Sequence, residues 1–262
     1  MTFDKLTIDT LADLLENCQL QVQDTHKITD DFPDMDWEDA YAIQAAILAR
    51  KLARGQRLIG LKAGLTSFAK MKQMGVNAPV FGFMTDDYAV PHGGEARMSE
   101  LIHPKVEPEI AFVTKKALSG PGCHIGTVLD ATDFVLPGIE VIDSRYRDFK
   151  FDLKSVIADN TSAARFVVGG SPTRLSGLDL RTVGIVMEKN GVPVAFGAGA
   201  AVLGHPATAI AMLANHLGAR GQEIPAGTLI LSGGITEAVA VTAGDHVSLR
   251  VQGMGSTGLR FI

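Results

Sequence analysis

Residues 103–113 read His-Pro-Lys-Val-Glu-Pro-Glu-Ile-Ala-Phe-Val, and no other stretch restricts the fold as much. From Val106 onward the apolar residues alternate. Val106, Pro108, Ile110 and Phe112 share one parity, and Glu107 and Glu109 share the other. Successive side chains of an extended chain point to opposite faces, so the pattern predicts a strand with two carboxylates roughly 7 Å apart on one face. Two readings of that face are open. A solvated acidic face needs no partner. A buried one costs on the order of several kcal/mol unless the charges are compensated. A hard divalent cation with oxygen ligands removes that cost.

Glu140 shifts the balance toward the cation. It stands alone in the apolar run Val-Leu-Pro-Gly-Ile-Glu-Val-Ile, residues 135–142, which reads as a buried strand and leaves little room for a solvated face. No Cys or His lies nearby in metal-ligand spacing. Three acidic residues on strands therefore point to Mg²⁺ or Mn²⁺ rather than zinc.

Upstream, Leu58-Ile-Gly-Leu-Lys62-Ala-Gly-Leu-Thr66 predicts a short strand that ends around a lysine between glycines. Two readings again stand: an edge-strand lysine facing water, or a partly buried ammonium serving as a charge stabiliser or acid/base. The small polar run Ala158-Asp-Asn-Thr-Ser162 is either a plain turn or a display of hydroxyls and amides to a ligand.

The remaining chain supplies ordinary elements. Leu6, Leu11, Leu14 and Leu15 predict a helix over 6–18. A second helix starts at Asp34 or Asp36 as cap, carries Ile43, Ile47 and Leu52, and stops at Gly55. Residues 67–74 read as helical with Gly75 ending them, and Asn77-Ala-Pro-Val80-Phe-Gly82 as a loop entering a strand. Residues 124–133 predict a short helix, and residues 143–148 a polar loop. Asn190-Gly191 between apolar runs predicts a hairpin with a type I′ turn, and Pro193 an edge or bulge. Gly204-His205-Pro206 opens a helix in which His205 reads as structural. Short strands and glycine turns follow, with Gly253, Gly255 and Gly258 closing the chain.

No Pro/Gly/Ser-rich linker divides the 262 residues. A single domain is expected, with a helical lead-in over 1–55 and a β-rich core over 56–262. Net charge is −5 with no basic run, which argues against nucleic acid and anionic membrane as partners. Two isolated cysteines, Cys18 and Cys123, suit a reducing cytoplasm. The first residues lack a basic region followed by an apolar stretch, so no secretory leader is expected. No apolar run approaches the ~20 residues of a membrane span. Gly-Met-Gly-Ser256 is not followed by a helix pattern, so it is not a dinucleotide site.

In order along the chain stand Ile-Gly-Leu-Lys62-Ala-Gly-Leu-Thr, His103-Pro-Lys-Val-Glu107-Pro-Glu109, Leu-Pro-Gly-Ile-Glu140-Val-Ile-Asp-Ser-Arg, Ala-Asp-Asn160-Thr-Ser162, Gly204-His-Pro and Gly-Asp245. This set resembles the 2-hydroxypenta-2,4-dienoate hydratase and 4-oxalocrotonate decarboxylase family of aromatic meta-cleavage pathways, over essentially the whole chain. Lys72-Gln-Met-Gly-Val and Ile142-Asp-Ser-Arg-Tyr146 carry the likeness to the decarboxylase branch. The resemblance implies an α+β fold, a mixed β-sheet roll of the fumarylacetoacetate hydrolase C-terminal type with an N-terminal helical segment. It implies Glu107, Glu109 and Glu140 as ligands of Mg²⁺, with Mn²⁺ as the alternative, and Lys62 as the active-site lysine. Lys62, Leu65, Val80 and Ser162 are implied as substrate contacts. In the hydratases an aspartate commonly precedes the Phe-Gly after the lysine loop, whereas this chain has Val80 there, and a valine moves no protons. The implied reaction is decarboxylation of the 2-oxo dicarboxylate 4-oxalocrotonate (2-oxo-3-hexenedioate). The neighbouring activities are the family's hydratase and an acylpyruvate-type hydrolase. For the latter no His or Glu base is visible near Lys62. The implied partners are a pathway hydratase and further copies of the chain.

Overall fold

The computed structural model describes residues 2–73, 75–76 and 78–262. Two apolar periodicities divide the chain, and each yields its own element. The period of a helix appears first. Helix α1 (Lys5–Gln21) starts where the Asp4 carboxylate accepts from the Thr7 amide, and it buries Ile8, Leu11 and Leu15. Helix α2 (Trp37–Ala53) starts at Asp36, which exchanges side-chain and backbone bonds with Asp39 in a capping box. It buries Ile43 and Ile47, ends with Arg50 and Lys51 in its last turn, and gives way to Gly55 at φ 92°.

The strand period then takes over. Strands β1 (Leu58–Gly64) and β2 (Val80–Thr85) flank α3 (Phe68–Gln73). Met74 and Asn77, within the expected helix and loop, lie outside the described residues. Next come β3 (Glu95–Ala96), β4 (Lys105–Thr114), α4 (Ile125–Ala131), β5 (Thr132–Ile142), α5 (Leu153–Ala158) and β6 (Ala163–Val168). The hairpin is β7 (Gly184–Lys189) and β8 (Val192–Ala198), joined by Asn190 and Gly191 at φ 55° and 78°, the positive pair that a type I′ turn requires. Pro193 lies on the edge strand beside a register shift, as expected. Helix α6 (Pro206–Gly218) is capped by His205, whose Nδ1 accepts from the Ala207 amide, so His205 is structural. The chain ends with β9 (Leu229–Leu231), β10 (Val239–Ala240), β11 (His246–Val251) and β12 (Gly255–Phe261).

Among the described residues these strands form two sheets. The larger runs β2-β1-β9-β4-β5-β6 with β10 beside β4; the smaller runs β3-β12-β11-β7-β8. Pairs β1–β9 and β3–β12 are parallel and the others antiparallel, so the sheets are mixed and the α+β expectation holds. Val106, Ile110 and Phe112, the apolar parity of β4, join Val247, Leu249 and Val251 of β11 and Ile210 and Leu213 of α6 in the main core. A second core forms where α1 and α2 pack on Val80, Phe83, Tyr146 and Ile157.

Two features go beyond these expectations. The glycines of 253–258 do not merely close the chain: Thr257, Leu259 and Phe261 are buried at alternate positions and make β12 an interior strand of the smaller sheet. The 143–148 segment is a loop, but Asp143, Ser144 and Arg145 are buried rather than solvated. Their polar groups are used internally. Asp143 accepts from the Ile102 and His103 amides at 2.8 Å each, and Arg145 pairs with Asp159.

Candidate metal centre

The register of β4 and β5 sets Glu107 directly opposite Glu140, and Glu109 follows on the same face. Directly opposed like charges destabilise a sheet. Ligand oxygens of the three residues lie within 4.8 Å of one another. Glu109 is 0% and Glu140 1% exposed, while Glu107 is half-buried. This burial excludes the solvated-face reading.

Lys62 reaches the same point from β1. Its side chain is 2% exposed, and Nζ lies 2.7 Å from Glu140 Oε1 and donates to the Thr161 carbonyl at 3.1 Å. The lysine is thus interior and not an edge residue facing water. Glu109 and Glu140 are buried together, the Lys62 ammonium meets Glu140 alone at ion-pair distance among the described residues, and a divalent cation offsets carboxylate charge gathered in this way. Glu109 Oε2 accepts from the Gly233 amide at 2.6 Å. Glu109 Oε1 and Glu140 Oε2 are buried with no hydrogen-bond partner among the described residues. Orphaned, buried carboxylate oxygens converging on one point, with no sulfur or imidazole among them, fit a hard cation. Burial, then the Glu140 charge, pushes the Glu109 carboxyl well above the usual range, and burial also raises Glu140 against the opposing pull of Lys62.

A cavity of about 440 Å³ opens above this cluster, with Lys62 and Glu107 among its lining residues. Leu65, Val80 and Ser162 line it as well, so the candidate substrate contacts converge on one space. Ser162 Oγ donates to Asp159 Oδ2 at 3.3 Å. Burial pushes the Asp159 carboxyl up to about 6, with Arg145 beside it pulling the other way. The Asp-Asn-Thr-Ser run is therefore buried and not a plain surface turn, and its Thr161 and Ser162 line the cavity.

Several lining residues escaped the sequence reading. Phe149 and Phe151 face the cavity from the loop after Tyr146, and their one-residue spacing was the available signal. Glu237 also lines it, exposed at the mouth, so a carboxylate does stand in the same cavity as Lys62. The signal there was Gly233-Gly234. The Gly233 amide binds Glu109, and a Cβ on Gly234 would lie 3.0 Å from the Glu107 carboxyl carbon. The glycines let this loop approach the acidic cluster and carry Glu237 with it.

Known proteins resemble this chain over nearly its whole length. The chain is 59% identical over 252 residues to the 4-oxalocrotonate decarboxylase of Pseudomonas sp. (strain CF600), covering 96% of each protein. It is 40% identical to the 2-hydroxyhexa-2,4-dienoate hydratase of Comamonas testosteroni over 98% of each. Its fold superposes with a TM-score of 0.98 on the 4-oxalocrotonate decarboxylase from Pseudomonas putida G7 complexed with magnesium and adipate, at 56% identity and covering 100% of this chain and 99% of that one. The model of the fumarylacetoacetate (FAA) hydrolase C-terminal family matches residues 61–261, and the chain belongs to that family.

Proposed function

We propose that this protein is a Mg²⁺-dependent 4-oxalocrotonate decarboxylase that converts 2-oxo-3-hexenedioate to 2-hydroxypenta-2,4-dienoate and CO₂. The observation that carries the reading is the composition of one cavity. An acidic, oxygen-only cluster with Lys62 lies at its base, and its wall at the position of the hydratase aspartate is Val80. The 59% identity to a decarboxylase against 40% to a hydratase supports the same branch. The adipate bound by the related decarboxylase is a six-carbon dicarboxylate, the length of the proposed substrate.

Glu107, Glu109 and Glu140 would hold the cation. When bound, it supplies a Lewis acid for a 2-oxo acid, placed where negative charge develops. The chain's own residues do the rest. The distal carboxylate leaves as CO₂, and its bond electrons move along the conjugated chain to the C2 oxygen. Lys62 Nζ stabilises that oxygen or donates the proton that completes the enol. Leu65, Val80, Phe149 and Phe151 give the departing carboxylate an apolar surround that favours the neutral product. Ser162 orients the substrate. Residues 1–262 act as one catalytic unit, because the lead-in helices cover the strand that bears Val80. With this reading go a cytoplasmic location and association with a pathway hydratase or with further copies, which co-purification tests.

The deciding experiment offers purified protein and Mg²⁺ two substrates. CO₂ release from 4-oxalocrotonate is the expected result. Water addition to 2-hydroxypenta-2,4-dienoate with no CO₂ release would make the protein a hydratase instead.

A further inference from the structure

Gly82 of β2 is paired directly with Lys62 of β1. Its φ is not left-handed, so backbone conformation does not require glycine there; space does. A Cβ on Gly82 would lie 2.7 Å from Thr161 Oγ1, 2.8 Å from Asn160 Oδ1 and 3.1 Å from Asn160 O. The turn filling that space is unusual. Asn160, Thr161 and Ser162 have φ values of 47°, 52° and 60°, and the middle residue is β-branched, which the left-handed region strongly disfavours. Such backbone persists only where its surroundings over-determine it.

Here the restraint comes from two sides. The Asn160 carboxamide takes the place of a neighbouring strand, donating to Phe83 O at 3.0 Å and accepting from Phe83 N at 2.9 Å. Buried Arg145 donates to the carbonyls of Asp159 and Ala163, the residues that flank the turn. The result of this conformation is that the Thr161 carbonyl points at Lys62 Nζ.

We propose that Gly82, Asn160 and Thr161 form a positioning device for Lys62. The missing side chain at 82 seats the left-handed turn against β2, and the turn's central carbonyl then opposes the Glu140 carboxylate across the ammonium. An ammonium has three donors, and two fixed acceptors leave one N–H with a set direction. This inference rests on the reading that Lys62 acts on the substrate.

The test compares Gly82→Ala, Asn160→Ala, Lys62→Ala and the two double variants that include Lys62→Ala. The measurements are kcat, KM, Mg²⁺ affinity by calorimetry and folding by circular dichroism. Gly82→Ala is expected to lower kcat about tenfold or more, with KM and Mg²⁺ affinity changed less than about twofold. In the Lys62→Ala background the same substitution should cost less than about twofold, because the lysine it positions is gone. Asn160→Ala only removes atoms, and it gives the same reading if Gly82→Ala does not fold. A folded Asn160→Ala or Gly82→Ala with near wild-type kcat overturns the proposal. So does an undiminished loss in the Lys62→Ala background, or a loss that follows Mg²⁺ affinity. Wild-type activity in Lys62→Ala itself would overturn the underlying reading of the lysine, a result separable from the others.

Discussion

Each member of the acidic cluster is costly alone and useful only with the others. Glu109 and Glu140 are buried, share one face with Glu107, and have the Lys62 ammonium beside Glu140. Removing one ligand charge should therefore abolish function without unfolding the chain. Glu109→Gln and Glu140→Gln keep the shape of the side chain, and each is expected to lose about a hundredfold or more of Mg²⁺-dependent kcat/KM. Metal titration and a thermal melt check this; full activity after EDTA treatment would contradict the metal role. Lys62→Ala is expected to lower kcat by about 10²–10⁴-fold with a smaller effect on KM, the range for loss of an acid/base or charge-stabilising group. A change in KM alone would make Lys62 an anchor. Both residue types were visible in the sequence, because a carboxylate inside an apolar run is conspicuous. Thr161 was not, since what it contributes is a backbone carbonyl and depends on conformation.

Contacts between elements explain where pH should act outside the site. His216 on α6 packs against Tyr41 of α2 and Phe81 of β2, with ring centroids 4.6 Å and 5.1 Å away. Burial, reinforced by the Arg220 charge, pushes its imidazole down to about 4. A base whose folded pKa is depressed contributes stability that is present above its unfolded value. That contribution is lost as pH falls from about 6.5 toward about 4. The His216→Phe variant keeps the aromatic packing and removes the titration. Its melting temperature should fall less than that of the wild-type protein across this window, as measured by thermal melts at stepped pH. Equal acid sensitivity would remove His216 from the account. The N-terminal cap of α2 and the Asn190-Gly191 hairpin were legible because both are local. The meeting of α2, α6 and β2 is not local, and no periodicity announces it.

For the molecule as a whole, the larger sheet packs on the main core, the helical lead-in covers its β2 end, and Ala111, Phe166 and Leu231 form a separate apolar cluster. Leu11, Leu15, Ile43 and Ile47 cover Val80, Phe83 and Ile157. Deleting residues 1–55 would expose this apolar surface and uncover the strand bearing Val80, so the truncated chain is expected to be insoluble or unfolded. A soluble, cooperatively melting 56–262 fragment would show that the lead-in is dispensable. Among the described residues no helix is long and apolar enough to cross a membrane.

Alternation along the strands, the caps of the helices and the isolated acid at 140 follow from residue order, because each rests on neighbours a few positions apart. They were enough to predict a helical lead-in before a β-rich core and to set an oxygen-ligated cation beside a solvated face as readings of the acidic strand; the α+β roll came from the family resemblance. The opposition of Glu107 to Glu140, the approach of Lys62 from another strand, and the aromatic and Glu237 walls of the cavity depend on strand register and loop placement. Those are settled by burial across the entire fold, so they joined groups whose separation along the chain concealed that they would meet.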